Sequence, residues 1–184
     1  MKFILGRKLN MTQIFDKDGV VHAVTIVEAS PVTVSQVKTK EKDGYTALQI
    51  VRKVNKKEIK KEFRNDEFTQ KSGDSIDLSQ FKEGDKVEVS AISKGKGFQG
   101  VVKRHGFHGG PRTHGQKHSE REPGSIGGGL RNKVPKKMRM AGRMGSDKVT
   151  IKNLKVLHIN IPSNSIYISG AIPGRRGTLV KITG

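Results

Sequence analysis

The feature that most restricts the fold of this chain is a long internal segment, residues 94–146, rich in glycine and basic side chains. It holds 13 of the 22 glycines and 13 lysines and arginines, against only two carboxylates, Glu120 and Glu122. Its few large apolar residues follow no helical or strand period, so it buries too little apolar surface to offset the entropy of ordering its backbone. We therefore predict an extended basic arm that is mobile alone and becomes ordered on a partner.

The two flanks of this arm, residues 1–93 and 147–184, together predict one globular β domain. Many short strands joined by glycine-containing turns favour a closed or nearly closed β-barrel, in which strands from both flanks share one core. Residues 55–71, with Ile59, Phe63 and Phe68 among lysines and glutamates, predict a small helical insertion. The predicted strands are Val20–Glu28, Val32–Thr39, Tyr45–Arg52, Lys86–Ser93, Lys148–Asn160, Ser165–Ser169 and Thr178–Thr183.

The charge balance points to a polyanionic partner. The chain carries 36 Lys and Arg against 17 Asp and Glu, a formal net charge of +19. The arm contributes +11 of this charge, and the flanks contribute +3 and +5. A merely solvated cationic surface is the alternative, but self-repulsion of this size would weaken a compact domain that had no anionic partner.

Several classes of protein are excluded by the composition. Without cysteine, the chain has no disulfide, thiolate metal site or cysteine nucleophile. No stretch approaches the ~20 apolar residues of a membrane span, and the N-terminus lacks the pattern of a signal peptide. With no tryptophan and 5% aromatic residues, base stacking on many aromatic platforms is not expected.

The arm supplies the residues that we predict to contact nucleic acid. Lysines and arginines neutralise phosphates and release counterions, and arginine also binds phosphate bidentately or stacks on bases. Any one such charge is more often simply solvated, so the prediction depends on their density. Phenylalanine and histidine add stacking and polar contacts. The predicted contacts are Lys94, Lys96, Phe98, Lys103, Arg104, His105, Arg112, His114, Lys117, His118, Arg121, Arg131, Lys133, Lys136, Lys137, Arg139 and Arg143.

The run Gly95–Gly100 (GKGFQG) matches the GxGxxG pattern of dinucleotide-binding loops. That pattern requires a strand before it and a helix that opens on it. A strand is predicted before the run, but His105–Pro111 (HGFHGGP) does not allow a helix longer than about one turn. We therefore expect no nucleotide cofactor, and a nucleotide-dependent enzyme is the rival interpretation.

The histidines of the arm, His105, His108, His114 and His118, are candidate metal ligands. Three-histidine zinc sites exist, but this spacing lies in a cationic loop without groups to orient the imidazoles. Glu120 and Glu122 are alternate residues in a loop, which does not fix the geometry that acid–base catalysis requires. We expect an ion pair with Arg121 or a nearby lysine instead. With no P-loop, nucleophile elbow or HExxH motif, the sequence predicts no catalytic, metal or cofactor site.

RNA is favoured over DNA as the polyanion. The sequence has no helix-turn-helix, zinc-finger or basic-zipper pattern. As an extended hairpin the arm would reach about 50–80 Å, from ~3.3 Å per residue over half its length. A long, irregular, glycine-rich arm suits the internal clefts of a folded RNA. A general nucleic-acid chaperone without a fixed site is a further alternative.

Several blocks of sequence, in order, resemble those of the ribosomal protein L3 family. Gly6–Phe15 (GRKLNMTQIF) is similar to the family's opening G-K-K-x-G-M-T-x-x-F run, with Asn10 where glycine is common. Ser93–Arg104 (SKGKGFQGVVKR) is similar to its diagnostic motif. Further similar blocks are Thr113–Gly115, Pro123–Gly127, Lys136–Gly145 and Gly170–Gly174.

The resemblance implies a mainly β fold, a six-stranded barrel of the translation-factor type with a small helical insertion and a long basic extension. It implies a structural role: family members bind large-subunit rRNA early in assembly, and their extension runs toward the peptidyl transferase centre. The implied tip is Gly124–Lys133. The implied partners are large-subunit rRNA and neighbouring proteins such as L14 and L19, on the cytoplasmic ribosome, with no membrane and no small-molecule substrate.

Two departures from the family pattern affect the tip and the region before the arm. Many bacterial members carry a glutamine just after the G-S-I-G block, methylated in some, whereas Gly128, Gly129 and Leu130 stand here. We therefore expect no such modification. The region before the arm is trimmed relative to longer bacterial relatives, yet the pattern is bacterial or organellar rather than the longer archaeal and eukaryotic type.

Overall fold

A computed structural model describes residues 2–54, 57–65, 68–129 and 132–184. The chain divides into two compact units, the first made of Met1–Ser93 with Lys148–Gly184 and the second of Lys94–Asp147. Across these described ranges, no helix is long and apolar enough to cross a lipid bilayer.

Strands dominate the secondary structure, so the prediction of a mainly β chain is confirmed. In chain order the elements are β1 (Phe3–Phe15), β2 (Val21–Glu28), β3 (Val32–Lys38), α1 (Lys40–Asp43), β4 (Ala47–Val54), β5 (Lys57–Arg64), β6 (Ser75–Ile76), a 3-10 turn (Leu78–Gln80), β7 (Lys86–Ile92), β8 (Phe98–Gln99), α2 (Val101–His105), β9 (Gly142–Arg143), β10 (Lys148–Asn160), β11 (Ser165–Ser169) and β12 (Leu179–Thr183).

A closed antiparallel sheet forms the centre of the first unit. Its strands pair in the order β1-β12-β7-β10-β11-β2, and β2 pairs back with β1. Strand β7 precedes the basic segment in sequence, yet it pairs with β10 and β12, which follow that segment. Residues from both flanks of the arm therefore build one barrel.

The barrel closes around side chains that alternate along each strand. On β7, Val87, Val89 and Ala91 are buried, and on β12, Val180 and Ile182 are buried. These residues also face one another across the two strands, because Val180 is paired with Ala91 and Ile182 with Val89. Each fully buried valine or isoleucine contributes roughly 1.5–3 kcal/mol relative to an exposed one.

Strand β1 is not among the predicted strands, and its burial explains why. Phe3, Ile4 and Leu5 are all fully buried, so the strand begins without alternation. Gly6 comes next, where an added Cβ would lie 2.2 Å from Cγ1 of the buried Val27. Only glycine lets β1 and β2 approach this closely. The predicted strands, by contrast, are confirmed to within two residues at each end.

The predicted helix over residues 55–71 is wrong where the structure describes it, because residues 57–64 form strand β5. This strand belongs to a second sheet of order β5-β4-β3-β6. Ile59 and Phe63 are four residues apart, a spacing that places them on one face of a helix and equally on one face of a strand. Phe63 is fully buried opposite Leu48, with its ring 4.6 Å from that of Phe3. This packing stabilises the strand rather than a helix. The parts of the prediction that fall on residues 55, 56, 66 and 67 lie outside the described residues.

Candidate nucleic-acid interface

The basic arm, residues 94–146, is closed at its base by a short antiparallel ladder. Strand β8 pairs with β9, with Phe98 opposite Arg143. Two backbone hydrogen bonds extend the ladder: the Lys96 N–H donates to the Met144 carbonyl, and the Met144 N–H donates to the Gly97 carbonyl, both at 2.9 Å. The outgoing and returning backbones of the arm are thus held together before the arm reaches its loops.

A helix of five residues, α2, follows β8. Its first residue, Val101, is buried, and Gly106 ends it in the left-handed conformation with its N–H donating to the Val102 carbonyl at 2.9 Å. The helix is as short as predicted, and β9 runs antiparallel to β8. A dinucleotide-binding βαβ unit needs a longer helix and parallel strands. The glycine-rich run therefore does not form such a loop.

Two residues of α2 are bonded within the arm. Nη1 of Arg104 donates to the Met140 carbonyl at 2.6 Å, and Nε2 of His105 lies 3.0 Å from the same oxygen. Gly142 leaves room for this contact, because an added Cβ there would lie 2.6 Å from Nη1 of Arg104. Both side chains were predicted to contact nucleic acid. The structure gives them an internal contact that joins α2 to the returning chain.

The arm folds back on itself at a pair of glycines beyond α2. The Gly110 N–H lies 3.3 Å from the Ser119 carbonyl oxygen and 3.1 Å from that of Glu120. Gly109 has φ +74, and an added Cβ would lie 1.9 Å from the Glu120 carbonyl oxygen. No larger residue fits at position 109 unless the backbone moves. This structural role was not predicted, although the double glycine after His108 is a signal for it.

Glu120 forms an ion pair across this loop with Arg112. The Nε of Arg112 lies 2.7 Å from Oε1 of Glu120, and the two side chains are 81% and 45% exposed. The expected partner, Arg121 or a lysine, was wrong for Glu120, because closure at Gly109 and Gly110 brings the more distant Arg112 alongside it. Such an exposed pair stabilises the fold by only ~0–1 kcal/mol. Its main consequence is that one of the two carboxylates of the arm is neutralised.

Most of the predicted contact residues are exposed on the arm. The Phe98 side chain is 76% exposed, which is unusual for a phenylalanine and suits base stacking. His114 and Lys137 have left-handed backbones, with φ of +60 and +66, a conformation uncommon outside glycine. Arg131 lies outside the described residues. The exposed set is Lys94, Lys96, Phe98, Lys103, Arg112, His114, Lys117, His118, Arg121, Lys133, Lys136, Lys137, Arg139 and Arg143.

An open recess of about 660 Å³ lies in the arm beside the end of α2. The Arg139 guanidinium is 5.0 Å from the ring centre of Phe107, and that ring is 6.0 Å from the ring of His105. His108 and the backbone of Gly109 complete this side of the lining. A cation, ring faces and open backbone are groups that bind phosphates and bases. Phe107 and His108 were not predicted as contacts, although the run HGFHGG carries both the rings and the glycines.

The arm histidines are not brought together as a metal site. Within the part of the chain that the structure describes, no three histidine, cysteine, aspartate or glutamate side chains are close enough to share a metal ion. His105 lies beside the Met140 carbonyl, whereas His114 and His118 are exposed. His114 and His118 are therefore available for hydrogen bonds or stacking.

Comparison with known proteins decides the family. The family model for ribosomal protein L3 matches residues 53–165. A large ribosomal subunit protein uL3 from Herpetosiphon aurantiacus is 44% identical, over 98% of this chain and 94% of that protein. The chain belongs to the ribosomal protein L3 family. Proteins of the same name from Chlorobium limicola and Chloroherpeton thalassium are 42% and 44% identical, each over 99% of this chain and 98% of the relative.

Membership of the L3 family confirms the resemblance seen in the sequence blocks, and the bacterial relatives confirm the bacterial type. The family consists of structural proteins of the large ribosomal subunit and not of enzymes. The rival interpretation, a nucleotide-dependent enzyme, is therefore wrong. Membership also places the chain on the ribosome in the cytoplasm, as predicted.

Proposed function

We propose that this L3 family member binds large-subunit rRNA through its arm and thereby supports the assembly and shape of the large subunit. The observation that carries the proposal is the charge of the arm. Its 13 lysines and arginines face only two carboxylates, and Glu120 is already paired with Arg112. An excess of exposed cations on a narrow segment is stabilised when RNA phosphates surround it.

The arm offers three kinds of contact to RNA. Exposed lysines and arginines neutralise phosphates and release counterions, which makes binding depend on salt. Phe98, opposite Arg143 on the base ladder, presents a ring on which a base stacks. The recess beside α2, with Arg139 over Phe107, accepts a phosphate or an unpaired base.

The L3 family suggests where these contacts are made. The closed sheet of the first unit would be the translation-factor type of barrel and would anchor the protein on rRNA. Residues 94–146 would thread into the RNA and become ordered there, with the tip at Gly124–Lys133 near the peptidyl transferase centre. Proteins L14 and L19 would be neighbours. Catalysis would belong to the RNA, and the protein would support its shape.

Salt titration tests the proposal directly. The full-length chain is mixed with protein-free large-subunit rRNA at 50, 100 and 200 mM salt, and the association constant is measured at each. If six to ten phosphates are contacted, affinity should fall roughly 10³- to 10⁵-fold across this range. Lys136→Gln with Lys137→Gln should reduce the salt slope, whereas Lys40→Gln with Lys42→Gln, on α1 among carboxylates, should leave it unchanged. Binding that is indifferent to salt contradicts the proposal.

Limited proteolysis and a salt wash distinguish a fixed site from general chaperone activity. Protease should cut the free protein within residues 94–146 and spare them in assembled large subunits. The protein should also remain in washed subunits at one copy each. Equal protection in both states would contradict ordering by RNA, and loss in a high-salt wash would favour a chaperone.

A further inference from the structure

The loop that joins β11 to β12 in the first unit presents two consecutive exposed arginines, Arg175 and Arg176. This loop is fastened to strand β1. The Gly177 N–H donates to the Lys8 carbonyl at 2.8 Å, and the Lys8 N–H donates to the Thr178 carbonyl at 3.0 Å. The two arginines therefore stand on a backbone that the barrel holds in place.

The side chain of Lys8 holds the same loop from the other side. Its Nζ donates to the Ile172 carbonyl at 2.7 Å and to the Gly174 carbonyl at 3.2 Å. Burial lowers the pKa of Lys8 from its ordinary value. Because its hydrogen bonds go to the loop backbone, Lys8 shapes the loop, and the exposed arginines remain available to a ligand.

A third exposed arginine, Arg7 on β1, lies against this loop. An added Cβ at Gly177 would be 3.4 Å from Nη2 of Arg7, so the guanidinium lies directly over that glycine. Arg52 is a further cation in this region, only 4% exposed, and its Nε makes no hydrogen bond within the described residues. Burial lowers the pKa of Arg52, while the charge of Glu28 raises it and the charge of Arg7 lowers it. Arg7 and Arg52 both lie beside Glu28, since Arg7 is paired with Glu28 across β1 and β2 and Nη2 of Arg52 lies near the Glu28 carboxylate.

Carboxylates do not balance the three exposed arginines. Among the residues that the structure describes, no carboxylate forms an ion pair with Arg7, Arg175 or Arg176. Glu28 is opposite Arg7 in the pairing of β1 and β2, but its Oε1 lies 3.4 Å from Nη2 of Arg52. Like charges held together in this way favour the binding of an anion.

We propose that Arg7, Arg175 and Arg176 form a second RNA-phosphate site, built by residues of the barrel and not by residues 94–146. The proposal rests on the proposed function, because it takes the ligand to be large-subunit rRNA. RNA fits better than an acidic protein surface, because the loop exposes no large apolar side chain and Ile172 is buried. The centre of a protein–protein interface is usually apolar or aromatic.

The rigidity of the loop makes it suited to phosphate. Arginine donates two parallel hydrogen bonds to a phosphate. A fixed backbone keeps the arginine in position for both bonds. An arm that becomes ordered on RNA needs a first contact that is already formed. The barrel site supplies this contact before the arm threads.

The test compares the salt dependence of rRNA binding in full-length variants. Arg175→Gln with Arg176→Gln should reduce the slope of log affinity against log salt by about 1.4–1.8, because each phosphate contact contributes about 0.7–0.9. The loss of affinity between 50 and 200 mM salt should therefore be roughly tenfold smaller than in the wild type. Arg175→Lys with Arg176→Lys keeps both charges and should keep the slope.

The matched control is Lys40→Gln with Lys42→Gln, which removes the same charge from an exposed helix next to Glu41 and Asp43. If this control and the arginine pair change the slope equally, the barrel site is overturned while the proposed function stands. If the wild type itself shows no salt-dependent binding, the proposed function fails. The site is also overturned if the double lysine variant shows the same reduced slope as the double glutamine variant. Lysine keeps the positive charge and neutralises phosphates as arginine does.

A protein partner is the other outcome. Suppose that the double glutamine variant binds protein-free rRNA with the wild-type slope and yet is lost from complete subunits when these are washed. In that case the surface binds a protein, and the proposal is overturned. Thermal unfolding of each variant, followed by circular dichroism, checks the fold. The midpoint of the glutamine pair should equal that of the wild type or exceed it, since removing exposed like charges relieves repulsion.

Discussion

Asp85 shows how a single carboxylate joins distant parts of the barrel. It lies just before β7, and its Oδ2 accepts hydrogen bonds from Nζ of Lys2, just before β1, and from the Lys82 N–H at 2.9 Å. These donors, led by Lys2, hold the pKa of Asp85 below its ordinary value. A carboxyl whose pKa is depressed in the folded state stabilises the fold above its unfolded pKa, about 3.9, and this contribution is lost as pH falls through the folded pKa.

We expect Asp85→Asn to lower the thermal midpoint at pH 7 and to weaken its dependence on pH in acid. The difference between wild type and variant should be largest at neutral pH and should shrink as pH falls below about 4. Circular dichroism melts between pH 2 and 7 measure this. Asp18→Asn is the control, because Asp18 forms no ion pair in the described part of the chain. Parallel curves for the two variants would show that Asp85 has no special role.

At the scale of elements, the sequence predicts strands where alternation carries the information and fails where it does not. Strands β10 and β11 match their predicted bounds to the residue. Strand β5 was taken for a helix because an even spacing of apolar residues fits both structures. Strand β1 was missed because Phe3, Ile4 and Leu5 are buried on both faces. The rings of Phe3 and Phe63 pack against each other between the two sheets, a contact between residues that are far apart in the sequence.

The candidate interface was predictable in its composition and not in its internal contacts. Charge density and glycine content predict which segment contacts RNA, and most of the predicted side chains are exposed there. The contacts of Arg104 and His105 with Met140 join residues 36 and 35 positions apart, and the pair of Arg112 with Glu120 spans eight. Such pairs depend on how the arm folds back, which local patterns do not encode.

The base of the arm provides a prediction of its own. Arg104→Ala removes the donor to the Met140 carbonyl, a charge-assisted hydrogen bond whose loss should cost ~1–2 kcal/mol locally. Amide hydrogen exchange at Lys96 and Met144, which close the ladder, should become about 5- to 30-fold faster. The thermal midpoint of the barrel should stay unchanged.

Lys103→Ala is the matched control for Arg104, because Lys103 is the neighbouring residue on α2 and is exposed. It should leave exchange at the ladder unchanged and weaken rRNA binding in proportion to one lost phosphate contact. If both variants accelerate exchange equally, the hydrogen bond from Arg104 does not stabilise the base of the arm.

At the scale of the whole molecule, the pairing of β7 with β10 predicts that the barrel folds without the arm. Ile92 at the end of β7 is paired with Lys148 at the start of β10. Because these two residues are opposite each other in an antiparallel pair, a two-residue turn is long enough to connect them. The strands on either side of the arm need only that connection to complete the barrel.

We therefore expect a variant in which Asn-Gly replaces residues 93–147 to fold with a thermal midpoint no lower than that of the wild type. Shortening the connection reduces the entropic cost of closing the loop by ~0.6 kcal/mol of free energy for each halving of the loop length. The deletion also removes ten net positive charges and so lessens self-repulsion. Circular dichroism and calorimetry measure the midpoint, and an unfolded or molten product would show that the barrel depends on the arm.

The same variant separates the two proposed contacts with RNA. Without the arm, affinity for protein-free rRNA should fall steeply, but the barrel site should leave a weak residual binding. Three arginines contacting phosphate would give a residual salt slope of about 2–3, at about 0.7–0.9 for each contact. Adding Arg175→Gln and Arg176→Gln to the armless variant should then reduce the slope below about 1. A slope that is the same with and without these two substitutions would place all of the specific RNA contact on the arm.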